Sequence, residues 1–460
     1  MTTTDRPTDP TATQAADAAA DLAAAQAADP ADLTAAEAAD AGHAAAHAAD
    51  AVAVAADTAA AEAADAAAGP AAAQAADPAA GPAAAQAADP ADFVAAQAAH
   101  AADPAAAHAA DAVADAADTA AAEVADAAQA ADAAADFAAA QWTRATGAGV
   151  DPHEYRRVTE GLTSVADWAP ALRRAGRAHL DRAERAGSPV SAGAHLLTAA
   201  RWFHLATLAH DEEAPYAAAE ADDALGRGLA LLEPGARRVS GEGFTGWLRG
   251  PADAPGTVVV VPGLDSAKEE FLDLASALLA RGLAVFAMDG PGQGALAATT
   301  TLRPDYEQVV GRVVDALGVA RVGVVGLSLG GFFAARAAAL EPRVAAAATV
   351  SGPSRLDWDA LPPPVRHILT LRTGGADAAR AFARQVDLTA LAPRIAAPLL
   401  VVDGGRDVIP GVTDGAPLAR LAPHGTYLSV PHGDHLLGNA RPDWLPHLAD
   451  HMAGTLTGTR

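Results

Sequence analysis

The sequence predicts an α/β protein in which a mostly parallel sheet carries helices on both faces. An all-helical domain and a low-complexity, alanine-rich segment precede it. Three observations predict this order. Residues 1–140 are mainly Ala with Asp and some Pro, residues 141–235 show apolar residues at helical spacing, and residues 236–460 alternate short apolar runs with helix-like stretches. A chain of 460 residues has room for two or three domains.

The alanine-rich segment contains an internal duplication. Residues 47–67 return almost unchanged at 108–128. Alanine is the best helix former, and Asp-Pro pairs place a capping acid before a proline at the first helical position, so short helices are predicted. Methyl groups alone bury too little area to hold a bundle, which favours a solvated tail that is partly helical or disordered. A coating or self-association module is the alternative.

Charge and cysteine content argue against several classes of function. The chain has 57 acidic and 31 basic residues, and residues 1–140 hold 23 of the acids and one basic residue, Arg6. No basic excess is present to neutralise phosphates, so we expect no nucleic-acid partner. The chain has no cysteine, which excludes disulfides and thiolate metal sites, and no metal or cofactor is predicted. No apolar stretch would span a bilayer and no export signal is evident, so we expect a cytoplasmic protein without a membrane partner.

Residues 141–235 predict a helical domain. Aromatic residues, Arg and mixed charges first appear together at Gln141. Helices are predicted at 154–162, 168–186, 193–210 and 216–232, and in the last three of these stretches apolar residues recur at helical spacing. Trp202 and His204 are candidate substrate contacts in this domain. Large aromatic side chains at this spacing lie more often in a helical core, which is the favoured interpretation.

Residues 236–460 predict the parallel sheet. Short, continuous apolar runs are typical of strands buried on both faces. The runs lie at 257–261, 283–288, 322–325, 345–350, 399–402 and 426–430, with helix-like stretches between most of them.

A candidate nucleophile lies where one of these strands meets a helix. Gly326-Leu327-Ser328-Leu329-Gly330 is the only G-x-S-x-G match in the chain. Glycines are needed on both sides of such a serine because side chains there would collide with the neighbouring strand and helix. We therefore predict Ser328 as the nucleophile and the Leu329 N–H as an oxyanion donor.

A serine hydroxyl needs a base near pKa 7 and an acid to orient that base. Asp407 and His435 follow the last two predicted strands, so the order along the chain is Ser, Asp, His. We predict that these residues complete a catalytic triad at one sheet edge. Asp403, Asp414 and His432 are nearby rivals that are better explained as turn or capping residues.

The loop after the strand at 257–261 is expected to supply the second oxyanion donor, the Leu264 N–H. Ser266 and Glu269 have the spacing of a capping box, which would fix the start of the next helix. Lys268 is the only lysine in the chain. We expect it on a solvated surface, with a substrate contact or a structural ion pair as the alternatives.

Several segments resemble one family of hydrolases. PGLDSAKEEF (262–271), MDGPGQG (288–294), GLSLGG (326–331) and HGDH (432–435) are similar to its signature segments, and VSAGAHLLTAARWFH (190–204) resembles its N-terminal helical domain. The family is the α/β-hydrolase group of 2,6-dihydroxypseudooxynicotine hydrolase and the fermentation-respiration switch-type esterases. The resemblance implies the α/β-hydrolase fold, a small-molecule substrate, a helical roof over the active site and a homodimer. It also implies Ser328, Asp407 and His435 as the triad.

Members of this group attack carbonyls, and some cleave a carbon–carbon bond beside a ketone with the help of an additional acidic residue. Here no glutamate follows Glu341, and only Asp357 and Asp359 lie at a comparable place, so we take them as candidate substrate contacts. Hydrolysis of a β-diketone or aryl ketone and hydrolysis of an ester or thioester both stay open. A non-catalytic binding protein that keeps the fold is the alternative of another class.

Overall fold

A computed structural model describes the backbone of residues 104–458 and the side chains of residues 119–458. The first copy of the duplication and the helices predicted before residue 104 lie outside the described residues. Within the described part of the chain, no helix is both long enough and apolar enough to cross a membrane.

A long helix, α1 (Pro104–Gly147), leads from the alanine-rich segment into the helical region. It begins at the proline of an Asp-Pro pair. It also runs through the boundary predicted at residue 140, because it joins the helical core before that point. Ala134 and Ala138 are buried, and Phe137 packs edge-on against Trp168 with ring centroids 4.8 Å apart. The predicted boundary therefore falls inside a continuous helix.

Four further helices complete the helical region, and they match the four predicted stretches to within four residues at each end. They are α2 (Pro152–Thr159), α3 (Trp168–Glu184), α4 (Pro189–Ala206) and α5 (Ala214–Leu232). Helix α4 begins earlier than predicted because the Ser188 hydroxyl accepts a hydrogen bond from the Ser191 N–H and a proline occupies the first helical position.

An eight-stranded sheet follows, in the order β1-β2-β4-β3-β5-β6-β8-β10. Strands β3 to β6, β8 and β10 are parallel, whereas β1 and β2 form an antiparallel edge. A separate pair, β7 and β9, is antiparallel. The strands are β1 (Arg237–Gly241), β2 (Phe244–Arg249), β3 (Thr257–Val261), β4 (Ala284–Asp289), β5 (Val322–Leu327), β6 (Val344–Val350), β7 (Arg355–Leu356), β8 (Leu399–Gly404), β9 (Val412–Thr413) and β10 (Gly425–Val430).

Helices cover both faces of this sheet, which confirms the predicted fold class. The helices are α6 (Leu272–Leu279), α7 (Tyr306–Leu317), α8 (Leu329–Leu340), α9 (Pro363–Thr373), α10 (Ala376–Ala383), α11 (Ala416–Leu421) and α12 (Arg441–Thr457). Val259 and Val261 of β3 pack with α7 and α8 on one face, and Val258 and Val260 pack with α6 and α12 on the other.

The prediction of a solvated Lys268 is wrong, because the side chain is only 1% exposed. Its ammonium forms ion pairs with Asp222 on α5 at 3.0 Å, with Glu269 at 2.7 Å and with Asp289 at the end of β4 at 2.6 Å. The alternative, a structural ion pair, is what the structure contains. Lys268 therefore joins the helical region to the sheet.

Candidate active site

Ser328 lies on a tight turn between β5 and α8. Its φ of 52° and ψ of −131° are a strained combination for a residue with a side chain. The flanking glycines permit the turn, since a Cβ on Gly326 would overlap the backbone of Gly330, and a Cβ on Gly330 would overlap the backbone oxygen of Val261. The turn presents the Ser328 hydroxyl at the edge of the sheet where the parallel strands end.

His435 and Asp407 meet Ser328 at this edge. His435 Nε2 lies 3.0 Å from Ser328 Oγ, and His435 Nδ1 lies 2.9 Å and 3.0 Å from the two carboxylate oxygens of Asp407. A carboxylate only accepts, so Nδ1 carries the proton and donates to Asp407. This tautomer leaves the Nε2 lone pair free to accept the Ser328 hydroxyl proton.

The three predicted rivals have other partners. The Asp403 carboxylate accepts the Gly415 N–H at 2.8 Å, Asp414 accepts the N–H of residue 416, and His432 pairs with Asp443. Burial, together with the nearby Asp414 and Asp407 carboxylates, raises the pKa of Asp403 to about 7. His435 forms its hydrogen bonds with Asp407 and Ser328 instead.

Two predicted oxyanion donors border the same space. Leu264 and Leu329 both line the cavity that contains Ser328. The Leu329 N–H is the first of helix α8, and first-turn N–H groups have no partner within the helix. Gly263 allows the loop to approach the nucleophile closely, since a Cβ there would lie 3.0 Å from the Cβ of Ser328. The arrangement can stabilise negative charge next to Ser328.

The cavity has a volume of about 530 Å³ and its wall is largely apolar. Helix α9, strands β7 and β9 and the loops before these strands supply most of the apolar side chains, which are Pro353, Leu356, Val365, Ile368, Leu369, Ile409 and Val412. Such a space suits an apolar substrate with its reacting group at Ser328.

Comparisons with known proteins agree with this geometry. The family model for the alpha/beta hydrolase fold matches residues 256–400. The crystal structure of the 2,6-dihydroxy-pseudo-oxynicotine hydrolase superposes with a TM-score of 0.62 and 27% identity, covering 69% of this chain and 97% of that one. The described part of the chain thus has the α/β-hydrolase fold. The structure of AbyA5, with a TM-score of 0.53 and 20% identity, shares the fold.

Two curated relatives of this α/β hydrolase are similar in sequence over shorter segments. The 2,6-dihydropseudooxynicotine hydrolase of Paenarthrobacter nicotinovorans is 36% identical over 188 residues, which is 38% of this chain and 51% of that protein. Hydrolase LUC6 of a Fusarium species is 39% identical over 155 residues, which is 28% of this chain and 37% of that protein. The chain thus spans about half or less of the length of these relatives.

The α/β hydrolase does not bring the other predicted substrate contacts into the cavity. Trp202 is fully buried in the helical core, and its indole N–H donates to Glu154. His204 pairs with Glu270 and lines a separate cavity of about 200 Å³. Asp357 and Asp359 are exposed and absent from the lining, and the Asp357 side chain instead caps a short 3-10 helix by accepting from the Asp359 N–H.

Sequence reasoning missed one part of this wall, the end of helix α1. Gln141, Thr143 and Arg144 line the cavity beside Ser328. Their only signal was the change of composition at Gln141. The predicted capping box does not form either, since the Ser266 hydroxyl accepts from Arg144 and Glu269 binds Lys268.

Proposed function

We propose that this α/β hydrolase is a serine hydrolase that cleaves a carbonyl substrate through an acyl-enzyme on Ser328. One observation carries the proposal: the continuous hydrogen-bonded chain from Ser328 Oγ through the His435 ring to Asp407, with no distance above 3.0 Å. This is the geometry that activates a serine hydroxyl at neutral pH.

The reaction follows from the atoms in place. Ser328 Oγ attacks the substrate carbonyl while His435 Nε2 takes the hydroxyl proton. The N–H groups of Leu264 and Leu329 stabilise the oxyanion, and Asp407 stabilises the imidazolium through Nδ1. Collapse expels the leaving group, which receives the proton from His435. Water, deprotonated by His435, then attacks the acyl-enzyme and releases the acid. These reaction steps require no cofactor.

We propose a ketone with a cleavable carbon–carbon bond, such as a β-diketone or an aryl ketone, as the substrate class. The likeness to 2,6-dihydropseudooxynicotine hydrolase and the apolar cavity wall support this choice. The bond next to the attacked carbonyl breaks, its electron pair passes to the α-carbon as an enolate, and His435 protonates that carbon. An ester or thioester of similar size is the alternative, since the same machinery expels an alkoxide or a thiolate.

Labelling with a fluorophosphonate probe tests the serine mechanism. The wild type is expected to be labelled and a Ser328→Ala variant to remain unlabelled. A wild type that stays unlabelled, or a variant that labels equally, would refute the enzyme and favour a non-catalytic binding protein.

A substrate panel tests the bond that is cleaved. Aryl β-diketones and activated esters of matched size are compared by kcat/KM. Asp357→Ala and Asp359→Ala serve as controls, because both carboxylates lie outside the cavity, and we expect neither to change hydrolysis of either class. Selective loss of ketone cleavage in one of these variants would mean that the replaced aspartate assists carbon–carbon cleavage, as the sequence suggested. Turnover of esters alone would leave the ester hydrolase as the function.

A further inference from the structure

Arg144, near the end of helix α1, binds the loop that carries Leu264. We call residues 262–266 the oxyanion loop. The Arg144 guanidinium donates to the Asp265 carboxylate at 3.1 Å, to the Asp265 carbonyl oxygen at 3.2 Å and to the Ser266 hydroxyl at 3.2 Å. Its Nε and Nη2 also form a bidentate pair with Glu270, at 2.8 Å and 2.9 Å. One side chain thus fixes both ends of the segment from residue 265 to residue 270.

This contact is rigid because it is buried and braced from behind. The Arg144 side chain is 12% exposed and that of Glu270 is 4% exposed. Glu270 is bound in turn by His204 Nε2 at 3.0 Å. Burial raises the pKa of Glu270, but the charge of Arg144 and the hydrogen bond from His204 outweigh it and lower the pKa to about 2. Both partners of the bidentate pair are therefore charged at neutral pH.

The same helix end also contacts the loop that carries His435. Gly147 and Gly438 pack backbone against backbone, since a Cβ on Gly147 would lie 2.7 Å from the Gly438 Cα, and a Cβ on Gly438 would overlap the Thr143 carbonyl oxygen. His435 lies three residues before Gly438. Residues 143–147 therefore touch both the loop of the oxyanion donor and the loop of the base.

We propose that Arg144 is a positioning residue of the active site, which holds the Leu264 N–H at the place where the substrate oxyanion forms. The inference rests on the proposed function, because it assumes attack by Ser328. The oxyanion loop follows β3. Gln293 holds its first half by donating to the carbonyl oxygens of Pro262 and Gly263 at 2.7 Å each, and Arg144 holds its second half at Asp265 and Ser266, next to Leu264. A donor displaced by about 1 Å loses much of its stabilisation of the transition state, and removal of one donor costs about 10² to 10³ in kcat.

The test compares Arg144→Gln, Arg144→Lys and the matched control Arg201→Gln. Arg201 also forms an ion pair between the helical region and the catalytic half, with Asp273 at 3.2 Å and 15% exposure, but it does not line the active-site cavity. Arg144→Gln is expected to lower kcat by about 10²-fold with KM changed less than about threefold. Arg144→Lys keeps the positive charge but lacks the bidentate guanidinium, and its kcat is expected to be about tenfold higher than that of Arg144→Gln.

The second measurement is the affinity for a boronic acid, which forms a tetrahedral adduct with serine. A purely structural role of Arg144 would leave this affinity unchanged. Its affinity is expected to fall in proportion to kcat/KM in the Arg144 variants, while a non-covalent product acid binds as before. Arg201→Gln is expected to keep wild-type kcat and boronate affinity. The melting temperature of each variant separates positioning from unfolding.

Three results would overturn the inference. They are an Arg144→Gln enzyme with kcat within threefold of wild type, an equal loss in Arg201→Gln, and a loss of kcat without a loss of boronate affinity. If the Arg144→Gln protein does not fold, the kcat and the boronate affinity of Arg144→Lys are compared with those of wild type in the same way. An inactive wild type refutes the proposed function, whereas an active wild type with an active Arg144→Gln refutes only the role of Arg144.

Discussion

Replacing Lys268 by Met is expected to destabilise the protein strongly. The substitution removes a cation that lies within 3.0 Å of Asp222, Glu269 and Asp289, whose side chains are 14%, 2% and 0% exposed. Burial raises the pKa of Glu269, and Lys268 opposes that rise. Without the cation, three carboxylates share a nearly dry space. Breaking a buried ion pair by removing one partner costs about 3–5 kcal/mol.

Thermal unfolding measures this cost. At about 2–4 °C per kcal/mol, the expected fall in melting temperature at pH 7.5 is about 6–20 °C. The difference in melting temperature between wild type and Lys268→Met is expected to be smaller at pH 5.5. Because Lys268 opposes the rise in the pKa of Glu269, loss of the cation raises this folded-state pKa further above its unfolded value, and the folded variant binds more protons than the unfolded chain. Its stability therefore increases as the pH falls.

Arg281→Met is the matched control. Arg281 pairs with Asp450, but the two side chains are 25% and 69% exposed, and solvent-exposed pairs contribute about 0–1 kcal/mol. We expect a melting temperature within about 4 °C of wild type. A Lys268→Met protein that melts within about 2 °C of wild type, or a gap that widens on acidification, would refute the reasoning.

Three further outcomes are expected. Gly326→Ala lowers the free energy of unfolding by about 3 kcal/mol or more in urea titrations, because the added methyl group overlaps the backbone of Gly330. Deleting residues 1–118 leaves the fluorophosphonate labelling rate unchanged, whereas deleting residues 1–140 lowers it about tenfold or more, because the cavity loses part of its wall. Asp403→Asn stabilises the protein by on the order of 2–4 kcal/mol at pH 8 in thermal unfolding and much less at pH 5. Burial raises the pKa of Asp403 to about 7, so between about pH 4 and 7 the folded wild type keeps this proton while the unfolded chain releases it, and the protein loses stability across that window.

Each of these has a contradicting result. Gly235→Ala, where a Cβ would meet nothing within 4 Å, should be harmless, and equal effects at both glycines would contradict the account of the turn. Equal labelling by both truncated proteins would mean that the end of helix α1 does not shape the cavity. An Asp403→Asn gain that is the same at pH 5 and pH 8 would show that ionisation of Asp403 is not its cause.

The parallel strands and the nucleophile turn could be predicted because their signals are local. Strand β3 begins and ends where its run of valines does, and the glycines around Ser328 are required by contacts with the adjacent turn and strand. Strands β1 and β2 were missed. Strand β1 is a largely exposed edge strand, and its sequence RRVSG has no apolar run that would mark it.

The roles of Lys268 and Asp357 could not be predicted because they depend on distant parts of the chain. Lys268 stands beside two glutamates in sequence, which is typical of a solvated helix start, and only the approach of helix α5 brings Asp222 onto it. Asp357 follows a parallel strand, where catalytic residues are expected. The small pair β7–β9 instead places Leu356 and Val412 in the cavity wall, and the Asp357 carboxylate is exposed.

The two buried ionic clusters explain why a helical region belongs to this active site. Both converge on the segment after β3: Lys268 binds Asp222 of helix α5, and Arg144 of helix α1 binds Asp265 and Glu270. Apolar packing would bury this segment equally well, but apolar contacts tolerate small displacements of the backbone. Charged, bidentate hydrogen bonds fix both direction and distance. An oxyanion donor has to be placed to a fraction of an ångström, and under the proposed function these bonds from the helical region would hold the oxyanion loop at that place.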